Sequence, residues 1–250
     1  MSLSTDIQFY ERWHRRDLLK QDQLALQERQ LLLQEILATM DGPLLVIGCG
    51  SAGEMASVPI GARTVGIDIS LVAVQQTRAQ SPQHLYVVAD AMQLPFSSAH
   101  FDTLLCSEVI EHLREPERAL ANFERVLKRN GRLVLTTPNW ISFYGFARAL
   151  GRLFLRRDFT SADQLHDDWT TPRHLQGQLD RAGFEPQRWL GFWFFPPFGK
   201  GRMRLPDSLA LPLLNTFMPL ERWLRPRLSK LGHVICVIAV KPKGSDESRN

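Results

Sequence analysis

The stretch Leu44-Leu-Val-Ile-Gly-Cys-Gly-Ser-Ala-Gly53 most narrows what this 250-residue chain can fold into. Four apolar residues predict a short buried strand, and glycines at 48, 50 and 53 follow it. Without a Cβ, such a turn lets backbone come close to a ligand. A helix beginning near Ser51 would aim its free N–H groups at the same place. The spacing is Gly-x-Gly-x-x-Gly, and Asp68 stands twenty residues past Gly48, as in a nucleotide-binding fingerprint. Glycine turns after strands are also common as plain βα turns, so the rest of the chain has to decide.

That rest alternates. Thr64–Asp68 and Leu85–Asp90 read as buried strands, each ending in a carboxylate, and Phe101–Cys106 and Arg132–Thr137 as two more. Ser70 can cap a helix running to about Gln80, and Pro116 opens one expected to reach Arg129. Strands alternating with helices predict a parallel sheet covered on both faces. Ligands of such sheets bind beyond the carboxyl ends of the strands. The glycine turn, Asp68, Asp90, Ser107 and Glu108 are all expected there.

The flanks are less regular. Asp6 to about Ala38 predicts an N-terminal helical arm over residues 1–40, in which Tyr10 and Trp13 are read as anchors on the domain rather than as a ligand cap. Ile141 to about Phe159 is apolar and carries four arginines. Thr171-Pro172 opens a helix that closes at Gly183, Trp189–Phe195 can form a strand, and His233–Val240 reads as one. Residues 244–250 are polar and expected to be a disordered tail.

Composition excludes some classes. At 44% hydrophobic and 22% charged, the chain is of ordinary globular make-up. The three cysteines lie in or beside apolar runs and read as reduced, buried thiols. No signal-peptide core and no run of about 18 apolar residues is present, so a cytoplasmic protein is expected. The net charge of +4 permits an anionic partner, but no interleaved basic and aromatic run marks a nucleic-acid platform, and no sequence-specific nucleic acid is expected.

With these residues together, the chain resembles a class I S-adenosylmethionine-dependent methyltransferase, and is similar to the group that includes the quinone-biosynthesis enzymes. The likeness rests on Leu44–Gly50, Val65-Gly-Ile-Asp-Ile-Ser70, Val88–Phe96, Phe101–Leu113 and Gly131–Asn139 in order. It implies an α/β, Rossmann-like, seven-stranded and mostly parallel sheet with helices on both faces and an antiparallel last strand. The domain would span 41–243, with insertions at about 141–170 and 196–230. The implied cofactor is S-adenosylmethionine, held by Gly48, Cys49, Gly50, Gly53, Asp68, Ile69, Asp90, Ala91, Met92 and Ser107. Asp68 would accept from ribose hydroxyls and Asp90 would meet the adenine amino group. Glu108, His112 and His166 are the candidates for acid–base work on a small-molecule acceptor, lipid-like or quinone-like. Glu108, Glu111 and His112 could share a helix face, as in a metal-binding cluster of some relatives, but no metal is expected.

One position departs from the family pattern. Val46 stands where relatives carry an acid that holds the methionine amino group, and Glu54 or backbone carbonyls would have to substitute. Two other functions stay open. A nicotinamide-dependent oxidoreductase would use the same glycines and Asp68, but no Tyr-x-x-x-Lys pair is present. A non-catalytic binding module on this fold is the second. The segment 196–230, rich in leucine, arginine and proline, also has two readings. One is a lid packed on the domain. The other is a segment in peripheral contact with the inner membrane surface. The four prolines at 206, 212, 219 and 226 are expected to break it into short pieces.

Overall fold

The computed structural model describes residues 3–15, 23–50, 54–59, 61–155, 165–166, 168–194 and 207–244. Seven strands form a single sheet in the order β3-β2-β1-β4-β5-β7-β6. They are β1 Leu44–Ile47, β2 Thr64–Asp68, β3 Leu85–Val88, β4 Phe101–Ser107, β5 Leu127–Pro138, β6 Glu185–Phe192 and β7 Val234–Val240. The pairs among β1 to β5 are parallel, and β7 inserts antiparallel between β5 and β6. This is the fold the alternation and the resemblance imply.

Helices sit where the strand periodicity demands them. Every residue of β1 is buried, because its alternate side chains meet helices on opposite faces. Leu45 and Ile47 join a core with Leu120 and Phe123 of α4 (Pro116–Val126) and Leu175 and Leu179 of α6 (Pro172–Ala182). Leu44 and Val46 join the opposite core with Leu33, Ile36 and Leu37 of α2 (Gln23–Leu37). Val46 therefore faces apolar packing and is fully buried.

The N-terminal arm is two helices rather than one, α1 Leu3–His14 and α2. The segment after the glycine turn holds a short 3-10 turn at Met55–Ser57. Ser70 accepts from the Ala73 N–H at 3.1 Å and caps α3, Leu71–Gln80. α4 ends at Val126, short of Arg129, because Leu127 is already extended and pairs with Phe101. β3 stops at Val88, β6 starts four residues earlier than expected and ends at Phe192. α5 spans Phe143–Leu155.

The largest correction concerns 196–230. Residues 195–206 lie outside the described residues, but Asp207–Arg227 is one 21-residue helix, α7, not a set of short pieces. Pro212, Pro219 and Pro226 are seven residues apart, close to two helical turns. Their missing N–H groups thus fall on one side, and Pro219 and Pro226 are exposed there. The penalty of each proline is local to that side. The expected tail beyond Gly244 also lies outside the described residues.

Candidate active site

Gly48 and Gly50 both take left-handed backbone, with φ of +64° and +51°. A Cβ on Gly48 would come within 2.4 Å of Val109 Cγ2, so backbone and the segment after β4 can pack only with glycine there. A Cβ on Gly50 would point into the space between the turn and the His14 ring, whose Cε1 would be 4.0 Å away. The Thr77 hydroxyl donates to the Gly50 carbonyl and ties the turn to α3. Gly53 lies outside the described residues.

Asp68 ends β2 directly beside this turn. Its Oδ2 accepts from the Gly50 N–H at 3.0 Å and its Oδ1 from the Ser70 N–H at 2.9 Å. Each oxygen keeps a second lone pair for a ligand hydroxyl. Burial raises its carboxyl above the ordinary aspartate range, opposed by the Ser70 N–H, His14 and the Gly50 N–H. Asp90, one strand over, accepts from the Met92 N–H at 2.8 Å, and Ala91 and Met92 are buried beside it. Cys49 is buried and its thiol is pushed up to about 12 by that burial. It is a packing residue rather than a nucleophile.

The arm lies across this edge. Glu11 of α1 accepts from the free N–H groups of Leu71 and Val72 at the start of α3, at 2.6 and 3.4 Å. The Gln76 side chain donates to the His14 carbonyl at 3.2 Å, and at the other end Asp6 pairs with Arg114 at 2.7 Å. Between these ties stand two buried polar atoms with no hydrogen-bond partner among the described residues, Tyr10 Oη and His14 Nδ1. Burial raises the Tyr10 phenol, with Asp6, Asp68 and Glu111 adding to the shift. Burial lowers His14, against the pull of Asp68. Tyr10 thus stands within electrostatic reach of both Asp68 and Glu111. The sequence offers no signal for His14 or Glu11. No local pattern marks them, since their partners lie some 60 residues away.

Such a cradle fits a polar ligand bearing hydroxyls. It offers close-approach glycines, a carboxylate with spare lone pairs and two orphaned buried groups opposite. Glu54, considered as a substitute for the acid missing at Val46, gives its carboxylate to Arg29 of α2 at 2.7 Å.

The segment beyond β4 has its own network. Glu108 has left-handed backbone, φ +53°, an uncommon state for a non-glycine residue. Its N–H and its carboxylate both meet Thr136: Thr136 Oγ1 donates to Glu108 Oε1 at 3.1 Å. Having spent its one proton, Thr136 Oγ1 must accept from Ser107 Oγ, also 3.1 Å away. Residues 110–112 form a 3-10 turn rather than an α-helix, so Glu108, Glu111 and His112 do not share a helix face. No group of three or more His, Cys, Asp and Glu placed to hold a metal is found among the described residues.

Glu111 is buried and accepts from Thr137 Oγ1 at 3.1 Å. His112 Nδ1 lies 2.6 Å from the His166 carbonyl. A carbonyl can only accept, so Nδ1 carries the proton and Nε2 of the neutral ring is the free base. That Nε2 is 3.9 Å from Glu111 Oε1. His166 therefore reaches this group through its backbone, while its own Nε2 has no partner among the described residues.

Comparison with known proteins bears on the family and the fold. Residues 45–135 match the family model described as methyltransferase domain. Demethylmenaquinone methyltransferase of Streptomyces griseus is 29% identical over 68% of this chain and 82% of its own length. An uncharacterised protein of Methanocaldococcus jannaschii is 30% identical over 52% of this chain. The chain spans 60% of that relative and 39% of an uncharacterised Streptomyces fradiae protein. A solved S-adenosylmethionine-dependent methyltransferase of Mesorhizobium loti has TM-score 0.56 at 17% identity, covering 84% of this chain and 96% of its own. The cyclase SpnF has TM-score 0.59 at 22% identity, covering 92% and 86%. These structural likenesses speak for the fold, which hosts more than one chemistry. The family resemblance in the motif series is borne out over the matched segment.

Proposed function

We propose that this chain is an S-adenosylmethionine-dependent methyltransferase acting on a small-molecule acceptor at the carboxyl edge of its sheet. The observation that carries the proposal is Asp68, anchored to the Gly50 and Ser70 N–H groups beside two left-handed glycines. The match of residues 45–135 to a methyltransferase domain supports it.

S-adenosylmethionine would supply an already activated methyl group, so the protein's task is mainly alignment and exclusion of water. Gly48 and Gly50 allow close approach, Asp68 accepts from hydroxyls, and Asp90 with Ala91 and Met92 forms the next wall. Tyr10 and His14 close the edge from above. Where the acceptor is a hydroxyl, a base is required, and we assign it to His112. Its proton sits on Nδ1, held by the His166 carbonyl, and Glu111 beside Nε2 would stabilise the imidazolium. Glu108 and Ser107 orient through Thr136. A quinone-like or other amphiphilic acceptor is supported by the name of the Streptomyces griseus relative. It is also supported by the aromatic residues Trp140 and Trp169, which meet at 5.3 Å where the chain leaves β5.

Titration calorimetry tests the cofactor assignment. Wild type should bind S-adenosylmethionine, and Asp68→Ala should lose about 2–4 kcal/mol with the fold intact. Unchanged affinity in that variant, or preferential binding of NADH by wild type, would overturn the reading.

A further inference from the structure

Two helices of this protein bury charged side chains and expose apolar ones among their described residues. On α5, Phe146, Leu150, Leu153 and Phe154 fall on one stripe and are all exposed, Leu153 and Phe154 by more than 70%. Arg148, on the other side, is buried with its guanidinium 4.8 Å from the Trp140 ring centre and 4.3 Å from that of Trp169. On α7 the same inversion recurs. Glu221 and Arg225 are buried, whereas Leu220 and Trp223 are exposed. Glu221 accepts from the Trp193 N–H. A helix packed on a water-facing domain shows the reverse arrangement.

The start of α5 and the end of α7 are tied together. Asn139 accepts from the Ile141 N–H at 2.9 Å and donates to the carbonyls of Lys230 and Gly232, each at 3.0 Å. This pins the start of α5 to the turn that follows α7. Ile141, Phe146 and the exposed Leu231 from that turn line one open crevice of about 600 Å³. Large apolar side chains exposed together in this way mark an interaction site.

Charge selects the occupant. Arg222 and Arg227 of α7 and Lys230 of the turn after it are exposed. Residues 141–155 hold no Asp or Glu, and α7 with the turn after it holds only Asp207, at its first position, and Glu221, which is buried. A second copy of the chain related by a two-fold axis would bring the same cations against each other. An anionic bilayer offers both an apolar layer and negative headgroups. Trp223, with Arg227 stacked at 4.3 Å, is the residue type that settles at headgroup level. No described helix is long and apolar enough to cross a membrane.

We infer that the face formed by α5 and the C-terminal half of α7 docks peripherally on an anionic lipid surface. The docking does not depend on the methyl-transfer reading. It would set the crevice that opens beside Trp140 against the bilayer, where an amphiphilic acceptor could enter.

Vesicle co-sedimentation tests the docking without reading catalysis. Wild type should pellet with phosphatidylglycerol-containing vesicles, pellet less at high salt, and pellet little with pure phosphatidylcholine. Arg222→Gln with Arg227→Gln should lower the partition coefficient about 25-fold, roughly fivefold per surface cation. Leu153→Ser with Phe154→Ser should abolish pelleting with an unchanged melting curve, since both side chains already face solvent. Absence of wild-type pelleting, equal pelleting of the serine variant, or indifference to lipid charge would each overturn the inference. So would a wild-type dimer in analytical ultracentrifugation that the serine variant splits into monomers, because the face would then serve a second copy.

Discussion

Asp68 carries opposite pH demands for binding and for folding. The ligand-accepting form is the carboxylate, and burial raises its pKa above the ordinary value. Affinity for S-adenosylmethionine should therefore be full above that raised pKa and fall as pH drops through it, at higher pH than for an exposed aspartate. Calorimetry across the acid range checks this, and a pH-independent affinity would contradict it. For folding the sign reverses. A raised pKa contributes stability that is present below the unfolded value of about 3.9 and lost as pH rises through the folded one. Glu108 is the second residue whose local state matters, because left-handed backbone costs a side-chain-bearing residue about 1–2 kcal/mol. Glu108→Gly should be more stable than Glu108→Ala by about 1 kcal/mol, both variants having lost the Thr136 bond. Urea unfolding of the pair measures the difference, and equal midpoints would show that the backbone there is unstrained.

At the scale of elements, α1 is the part whose role the sequence hid. It is held by polar ties at both ends rather than by a large apolar face. The Asp6–Arg114 pair is mostly buried, with side chains 7% and 23% exposed. Arg114→Ala leaves a buried carboxylate without its cation, which costs about 3–5 kcal/mol where the partner cannot move. Here α1 can detach instead. Hydrogen exchange should quicken across Leu3–His14 while β4 and β5 stay protected, and S-adenosylmethionine should associate faster as Tyr10 and His14 leave the edge. Uniformly faster exchange would mean that α1 is part of the cooperative core. α7 teaches a related lesson. Prolines at 212, 219 and 226 argued for broken pieces, yet their heptad spacing confines the defect to one side of a continuous helix.

At the scale of the whole molecule, β7 closes the sheet. It pairs with β5 from Arg132 to Pro138 and with β6 from Glu185 to Phe192. Its Ile235, Val237 and Ala239 enter one core and its Val234 and Cys236 the other. Lys241, just beyond, is buried against Glu124 at 3.2 Å. A chain ending at Gly232 should fail to fold cooperatively, because both cores lose apolar side chains and β5 gains an open edge. Far-ultraviolet dichroism and sedimentation of that truncation check this, and a sharp thermal transition would show that β7 is dispensable.

The sheet and its two-sided burial were legible in the sequence, and so was the placing of the glycine turn and the strand-end carboxylates at its carboxyl edge. These depend on signals a few residues long: apolar strands, a glycine turn, carboxylates at strand ends and Ser70 as a helix cap. Gly48, Gly50, Asp68 and Asp90 could be placed for that reason. Tertiary structure alone decided the rest. Tyr10 and His14 come within electrostatic reach of Asp68 only because α1 folds back over a segment some 60 residues further along the chain. His112 has a defined tautomer only because the His166 carbonyl returns to it from 54 residues away. Which side of α5 and α7 faces water could not be read from their composition, since Arg148 is buried against Trp140 and Trp169 and Glu221 against the Trp193 N–H, contacts that only the tertiary structure makes. Local pattern determines which elements form and where strands end; contacts between distant segments determine which polar groups are buried, paired and aimed at the site.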